Sequence, residues 1–259
     1  MMPCVPRALL LLLLCGPLFF GVGGCELRRA SGPQAVKGVL DLSGWDFAHG
    51  GPAELVGEYE FYWNQHLSPL DFAGVSPPQP SGFIQVPGYW NNAQVDGREL
   101  PGEGFATYRL TVLLGKHPPA LALEVAEVST AYRLFVDDRL VAAVGSAGET
   151  GQTTEPRQIP VLVSFAPASD RLHLLLQVSN FHHRRGGLWE VVRLGEEGQL
   201  RALRERERLG DFFLLGGIFV MALYHLTLFV LRRRFRASFY YGIFCFLVAL
   251  RMLTTDERY

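Results

Sequence analysis

The sequence predicts a mainly β domain followed by a hairpin of two membrane-crossing helices, and three stretches carry that prediction. Residues 212–231 read FFLLGGIFVMALYHLTLFVL, with no formal charge among them. At ~1.5 Å per residue such a helix is about 30 Å long, the thickness of a bilayer's hydrocarbon core. Lipid offers no partner to backbone polar groups, so a single apolar span must be helical. Upstream lies a long region of short alternating or apolar runs, punctuated by Gly, Pro, Asn and Asp. That spacing argues for a β-sandwich or barrel. At the start, Arg7 precedes an apolar stretch with six successive leucines, Leu9 to Leu14. This pattern reads as an export signal.

Composition narrows the function classes. The chain has 259 residues, 49% hydrophobic and 19% charged, with a formal net charge of −1. It is too apolar for disorder and too balanced for a nucleic-acid-binding surface. Three of its four cysteines, Cys4, Cys15 and Cys25, fall in the N-terminal segment, and Cys245 falls in the second apolar stretch. The region between has no cysteine, hence neither an internal disulfide nor a thiolate metal site. The segment ending Val22-Gly23-Gly24-Cys25 resembles a lipobox, with Cys25 as the lipidated residue. Val22 stands where that pattern usually has Leu, and ordinary cleavage nearby is the alternative. Residues 1–25 are therefore expected to be the signal segment, and 26–195 the exported β domain.

Expected strands are residues 39–42, 58–63, 83–86, 107–114, 120–128, 132–136, 140–144, 159–165, 172–178 and 189–194. Tyr59, Phe61 and Trp63 share one face of a strand, and Glu58, Glu60 and Tyr62 the other. Asp137-Asp138 reads as the tight turn of a hairpin. Residues 145–156, GSAGETGQTTEP, form a long polar loop, either a binding loop or plain surface.

Three clusters mix aromatic and polar residues: 86–92 with Tyr89, Trp90 and Asn91; 102–110 with Tyr108 and Arg109; and 178–189 with Asn180, His182, Arg184 and Trp189. Pro87-Gly88-Tyr89-Trp90 followed by Ala106-Thr107-Tyr108-Arg109, then Ser179-Asn180-Phe181 and Gly186-Gly187, resembles the non-catalytic sugar-binding jelly roll of glycoside hydrolase family 2. With apolar spans directly after it, and Leu223-Tyr224-His225-Leu226 and Ala249-Leu250-Arg251 within them, the chain resembles bacterial seven-transmembrane receptors with diverse intracellular signalling modules. The resemblance implies a jelly-roll, galactose-binding-like sandwich in the periplasm. It also implies a carbohydrate or related small ligand, signal transduction through the membrane bundle, and no enzymatic activity.

Trp90, Asn91, Tyr108, Arg109, Asn180, His182, Arg184 and Trp189 are the candidate ligand-binding residues. Sugars offer apolar C–H faces to aromatic rings, and hydroxyls to Asn, Arg and His. Each candidate has a structural alternative: the tryptophans as core, Arg109 as a paired strand arginine, Gly186-Gly187 as a turn. His182 and His183 face opposite ways on a strand and make a poor chelate, so no metal is expected. No cofactor is expected either, for the chain shows neither a Gly-rich phosphate loop nor a nucleophile elbow. No pair of its 25 acids is marked out for hydrolysis.

Residues 196–211 alternate charge among helix formers and are expected to form a juxtamembrane helix, with Leu200, Leu203 and Leu209 as its apolar strip. A solvated charged linker is the alternative. Four arginines precede the first span and four follow it, so the positive-inside count is a tie. The export signal and the short, acid-free loop 232–236 break it, placing the β domain outside. Residues 237–255 form the second span, with Arg251 near its outer end. Gly217, Met221 and His225 share one helical face and are expected to meet neighbouring helices. The chain stops there, so it reads as the first part of a receptor whose other helices and cytoplasmic output module lie beyond it. A membrane-tethered carbohydrate-binding protein and a glycosidase remnant are the rival readings.

Overall fold

In the computed structural model the described residues are 32–255, except 96, 117 and 235. The export segment and Cys25 lie outside them. Two sheets stack face to face. The larger has the order β10-β9-β12-β7-β3-β4. It comprises β3 (Gly57–Trp63), β4 (Gly82–Val86), β7 (Gly104–Leu114), β9 (Ala131–Val136), β10 (Arg139–Val144) and β12 (Arg171–Asn180). Strand β1 (Val39–Leu42) joins as the seventh, parallel to β7. The smaller sheet has the order β11-β8-β13-β2. It is built from β2 (Ala53–Leu55), β8 (Leu121–Val125), β11 (Val161–Phe165) and β13 (Val192–Gly195). A two-residue hairpin, β5 (Gln94–Val95) with β6 (Arg98–Glu99), stands apart.

Long β7 organises the larger sheet. It pairs along its length with β12, from Gly104↔Asn180 to Leu113↔Arg171. Its other edge is shared: β3 takes Ala106 to Arg109 and β1 takes Thr111 to Leu114. Period-2 alternation then sorts its side chains. Ala106, Tyr108, Leu110, Val112 and Leu114 are buried in the sandwich core, against Tyr59, Phe61, Leu123 and Leu176. Thr107, Arg109 and Thr111 take the opposite face. That face is partly covered by the segment carrying α2 (Pro69–Phe72): Thr107 Oγ1 donates to the Gln65 carbonyl, and Gln177 Nε2 donates to the Leu67 carbonyl.

All ten expected strands are present. The Asp137-Asp138 turn links β9 to β10, with Asp137 at φ +53°. Strand β2 was not expected, and neither were α2 and the single turn α1 (Phe47–Gly50), capped by Asp46. The 145–156 loop is folded on itself. Ser146 and Glu155 bridge, Thr150 and Thr153 exchange hydrogen bonds, and Ser179 Oγ donates to the Gly148 carbonyl at 2.6 Å.

The juxtamembrane stretch and the first span form one helix, α3 (Glu197–Leu231), of 35 residues. At ~1.5 Å rise it is about 52 Å long. Its first turns lie on the smaller sheet. Leu200 is buried there, Gln199 Nε2 donates to the Phe47 carbonyl, and Arg204 donates to the Pro160 carbonyl. Ser164 Oγ donates to Glu197, and Arg193 of β13 bridges Glu124 and Glu207. The strip facing the sheet is therefore Leu200, Arg204 and Glu207, spaced i, i+4, i+7. Leu209, expected to extend it, is 63% exposed. Past Leu200 the helix meets the sheet through paired polar groups, which apolar patterning cannot reveal.

Helix α4 (Arg236–Thr255) packs antiparallel on α3. The seam uses Ala222, Cys245 and Ala249, all buried, with His225 edge-on to Tyr241 at 4.6 Å and Phe229 against Phe239. Gly242 is the close-approach residue, since a Cβ there would lie 2.8 Å from Leu226. Among the described residues, a Cβ on Gly217 would meet nothing within 4 Å and Met221 is 43% exposed, so of the expected face His225 is the residue that packs on α4.

Candidate ligand-binding site

The sequence candidates fall into two places. Trp90, Asn91, Asn180, Arg184 and Trp189 gather in a knot of loops at one end of the sandwich. Trp90 is fully buried, and its Nε1 donates to the carbonyls of Pro101 at 3.0 Å and Gly102 at 3.2 Å. Its ring meets Trp63 edge-on at 5.4 Å. A Cβ on Gly186 would lie 2.2 Å from that ring, so the glycine is what lets loop and indole close. Asn91 accepts from the Gly186 amide and donates to the Arg184 carbonyl. Asn180, also fully buried, donates to the carbonyls of Gly102 and His183 and accepts from the His183 amide. Buried side-chain amides are stable only when satisfied in this way.

Trp90, Asn91 and Asn180 thus spend their polar groups on the knot's own backbone, while the buried Nε1 of Trp189 has no partner. Trp90 and Asn180 present no surface on which a ligand could stack. Tyr108 is buried in the sandwich against Phe61 at 5.0 Å, and burial pushes its phenol far above the ordinary range. On the outside of the knot, Trp189 stacks on Tyr89 at 6.1 Å and 16°, and Arg185 lies 5.1 Å above the Tyr89 ring. His182 and Arg184 have exposed side chains.

Arg109 stands apart from these, on the outer face of the larger sheet. It pairs with Glu60 at 3.0 Å and sits 4.6 Å over the Phe72 ring. Tyr62 donates to the same Glu60 oxygen at 2.8 Å. Beside Arg109 opens a pocket of about 250 Å³, lined by Pro69 and Phe72 of α2, Arg109 of β7, His173 and Leu175 of β12, and the Asp137-Asp138 turn. His173 Nδ1 shares a hydrogen bond with Thr111 Oγ1, and its backbone amide donates to Asp137 Oδ1 at 2.9 Å. Partial burial, and then the positive charge of Arg109, lower the His173 pKa and favour the neutral ring.

The pocket combines an aromatic wall, a guanidinium, an imidazole and two turn carboxylates. Such a set can place an apolar face against Phe72 and hydrogen-bond hydroxyls around it. Of the eight sequence candidates only Arg109 lies here. Phe72, His173, Asp137 and Asp138 went unmarked because they are remote in sequence. Strand register joins them: β7 pairs with β12 as Arg109↔Leu175 and Thr111↔His173, and Asp137 follows β9, the next strand over. A second opening, of about 520 Å³, is lined by Trp63, Asn64 and residues 95 and 98–101. It draws mainly on one hairpin and its exit, not on several elements.

No curated protein matches this chain. A glycoside hydrolase family 2 β-galacturonidase from Eisenbergiella tayi, bound to galacturonate, is similar over 56% of this chain and 24% of that one, at 19% identity and a TM-score of 0.38. A β-glucuronidase from Ruminococcus gnavus is similar over 55% of this chain and 28% of its own, at 13% identity and a TM-score of 0.41. The chain thus spans about a quarter of the length of these enzymes. The family model for 7TM diverse intracellular signalling matches residues 207–258, from the last turns before the first span through the second. Residues 207–258 are thus similar to the 7TM diverse intracellular signalling family, in line with the resemblance read from the sequence.

Proposed function

We propose that this chain is the sensory part of a bacterial membrane receptor, in which the β-sandwich binds a small polyhydroxylated ligand and α3 passes the event into the membrane. One observation carries the reading. The helix that packs on the smaller sheet through Leu200, Arg204 and Glu207 runs on without a break into the apolar stretch 212–231. A shift of the sandwich on ligand binding would therefore move the span itself, with no flexible linker to absorb it.

The sandwich lies on the periplasmic side of the inner membrane. Arg232, Arg233, Arg234 and Arg236, in the short connection between the helices, face the cytoplasm. The ligand occupies the pocket beside Arg109. Its ~250 Å³ is just below the roughly 300–1,000 Å³ of drug-sized sites, which suits a monosaccharide-sized molecule. The module is not an enzyme: the pocket's two carboxylates, Asp137 and Asp138, are neighbours in one turn and do not face each other across a cleft as hydrolysis requires.

Thermal unfolding of the purified full chain in detergent, across a panel of mono- and disaccharides, tests the proposal. At least one millimolar sugar should raise the Tm, and Arg109→Ala should abolish the rise. No shift with any sugar, or a shift that survives Arg109→Ala, contradicts the site.

A further inference from the structure

The path of α3 over the smaller sheet shows which end of the sandwich meets the membrane. Near its start, Glu197 is bonded to Ser164 of β11. Two turns on, Arg204 reaches Pro160, just before β11 begins, and Glu207 then pairs with Arg193. The helix therefore crosses the sheet and leaves by the end that carries Pro160, Glu190 and the loop knot. Glu190 interacts electrostatically with Glu127, Arg193 and Glu207, which places it at this junction. The first residue of the apolar stretch, Phe212, follows Glu207 by five positions, about 7.5 Å of helix. The headgroup layer of one leaflet is itself about 5–7.5 Å deep. The loops at this end thus reach headgroup level when α3 spans the bilayer.

Those loops carry the groups that suit such a layer. Trp189 adjoins Glu190, Tyr89 stacks on Trp189, and Arg185 lies over Tyr89. The side chains of Arg184 and Arg185 are exposed, as is Arg157, whose amide bonds to the Thr130 carbonyl at the same end. Tyr89 and Trp189 are partly buried here, with exposed arginines beside them; Trp and Tyr rings with arginines settle at membrane interfaces, and each basic residue near an anionic surface adds roughly 1 kcal/mol of attraction. The exposed tip of the knot, idle in the pocket chemistry, thus acquires a partner. We infer that the knot end, through Arg184, Arg185, Tyr89 and Trp189, docks on the anionic phospholipid headgroups of the bilayer that α3 crosses. This rests on the reading of α3 as a span.

Hydrogen exchange on the full chain in nanodiscs tests it. With phosphatidylglycerol present, amides in residues 182–189 should exchange several-fold more slowly than in phosphatidylcholine alone. The 166–170 loop, at the opposite end, should not change. The difference should vanish in 1 M salt, where the Debye length is about 3 Å. It should vanish also in an Arg184→Glu/Arg185→Glu variant of unchanged Tm. Equal exchange in both lipids overturns the docking, provided residues 212–231 are protected; if they are not, the span reading has failed instead. The same slowing by inorganic phosphate in detergent would mean a free-anion site and would also overturn it.

Discussion

The loop knot around Trp90 and the outer face of the larger sheet are both rich in aromatic and polar residues, yet they use them in opposite ways. In the knot, Trp90, Asn91 and Asn180 bond to backbone groups of residues 101–102 and 183–186 and hold three loops together. On the sheet face, Arg109, His173 and the Asp137-Asp138 turn surround a pocket that the chain leaves open. Large aromatics near glycines are thus a signature of closure: Trp90 sinks to full burial where Gly186 lacks a Cβ, and Trp63 packs closely over Gly104 in the same way. Polar groups that alternate along strands and border an open pocket, as Arg109 and His173 do, are the better sign of a surface able to receive a ligand.

Breaking the knot should have the largest effect on stability. Trp90→Ala removes a fully buried indole and two hydrogen bonds, and should cost about 3–5 kcal/mol. Gly186→Ala forces a methyl group into the same ring and should cost about 1–3 kcal/mol. Denaturant unfolding of the full chain checks both. By contrast Arg109→Ala, which the binding test uses, should cost about 1 kcal/mol or less, because its ion pair is partly solvated. A knot variant as mild as Arg109→Ala would erase the contrast.

The smallest effect is a pH response confined to the sheet face. His66 packs against Phe105 and bonds to Ser179 beneath the 145–156 loop. Burial, and then the charge of Arg133, lower its pKa from the ordinary 6.5. The folded state therefore resists protonation while the unfolded chain accepts it. The contribution of His66 is complete above about pH 6.5 and is lost progressively as the pH falls below it. Tm measured between about pH 5 and 8 should show that decline, and His66→Gln should reduce it, leaving the part that His173 supplies in the same way. An unchanged slope in the variant would assign the decline to other groups.

Much of the fold was legible because alternation reports burial directly. Strand β7 shows it from Tyr108 to Leu114 and β3 from Gly57 to Phe61, and the Asp137-Asp138 turn is marked by its residues. Strand β2 has three residues, too few for a period, and exists through its pairing with β13. Strand β13 begins at Val192, three residues after its expected start; just before, the carbonyls of Gly186 and Leu188 accept from the amides of Trp90 and Gly88 in the knot. The candidate site was legible only at Arg109. Its companions come from β9, β12 and α2, which register and packing bring together across more than a hundred residues of chain. Motif reading gathers what is adjacent in sequence, so it found the knot.

Both regions bear on signalling only if the sandwich and the first span move as one body. Hydrogen exchange across residues 197–211, on the full chain in nanodiscs, measures that directly. The account expects protection continuous with β8 and β13 on one side and with the membrane-embedded helix on the other. Exchange of 197–211 at the rate of unstructured peptide would contradict it, leaving the β domain on a flexible tether with no path from pocket to membrane.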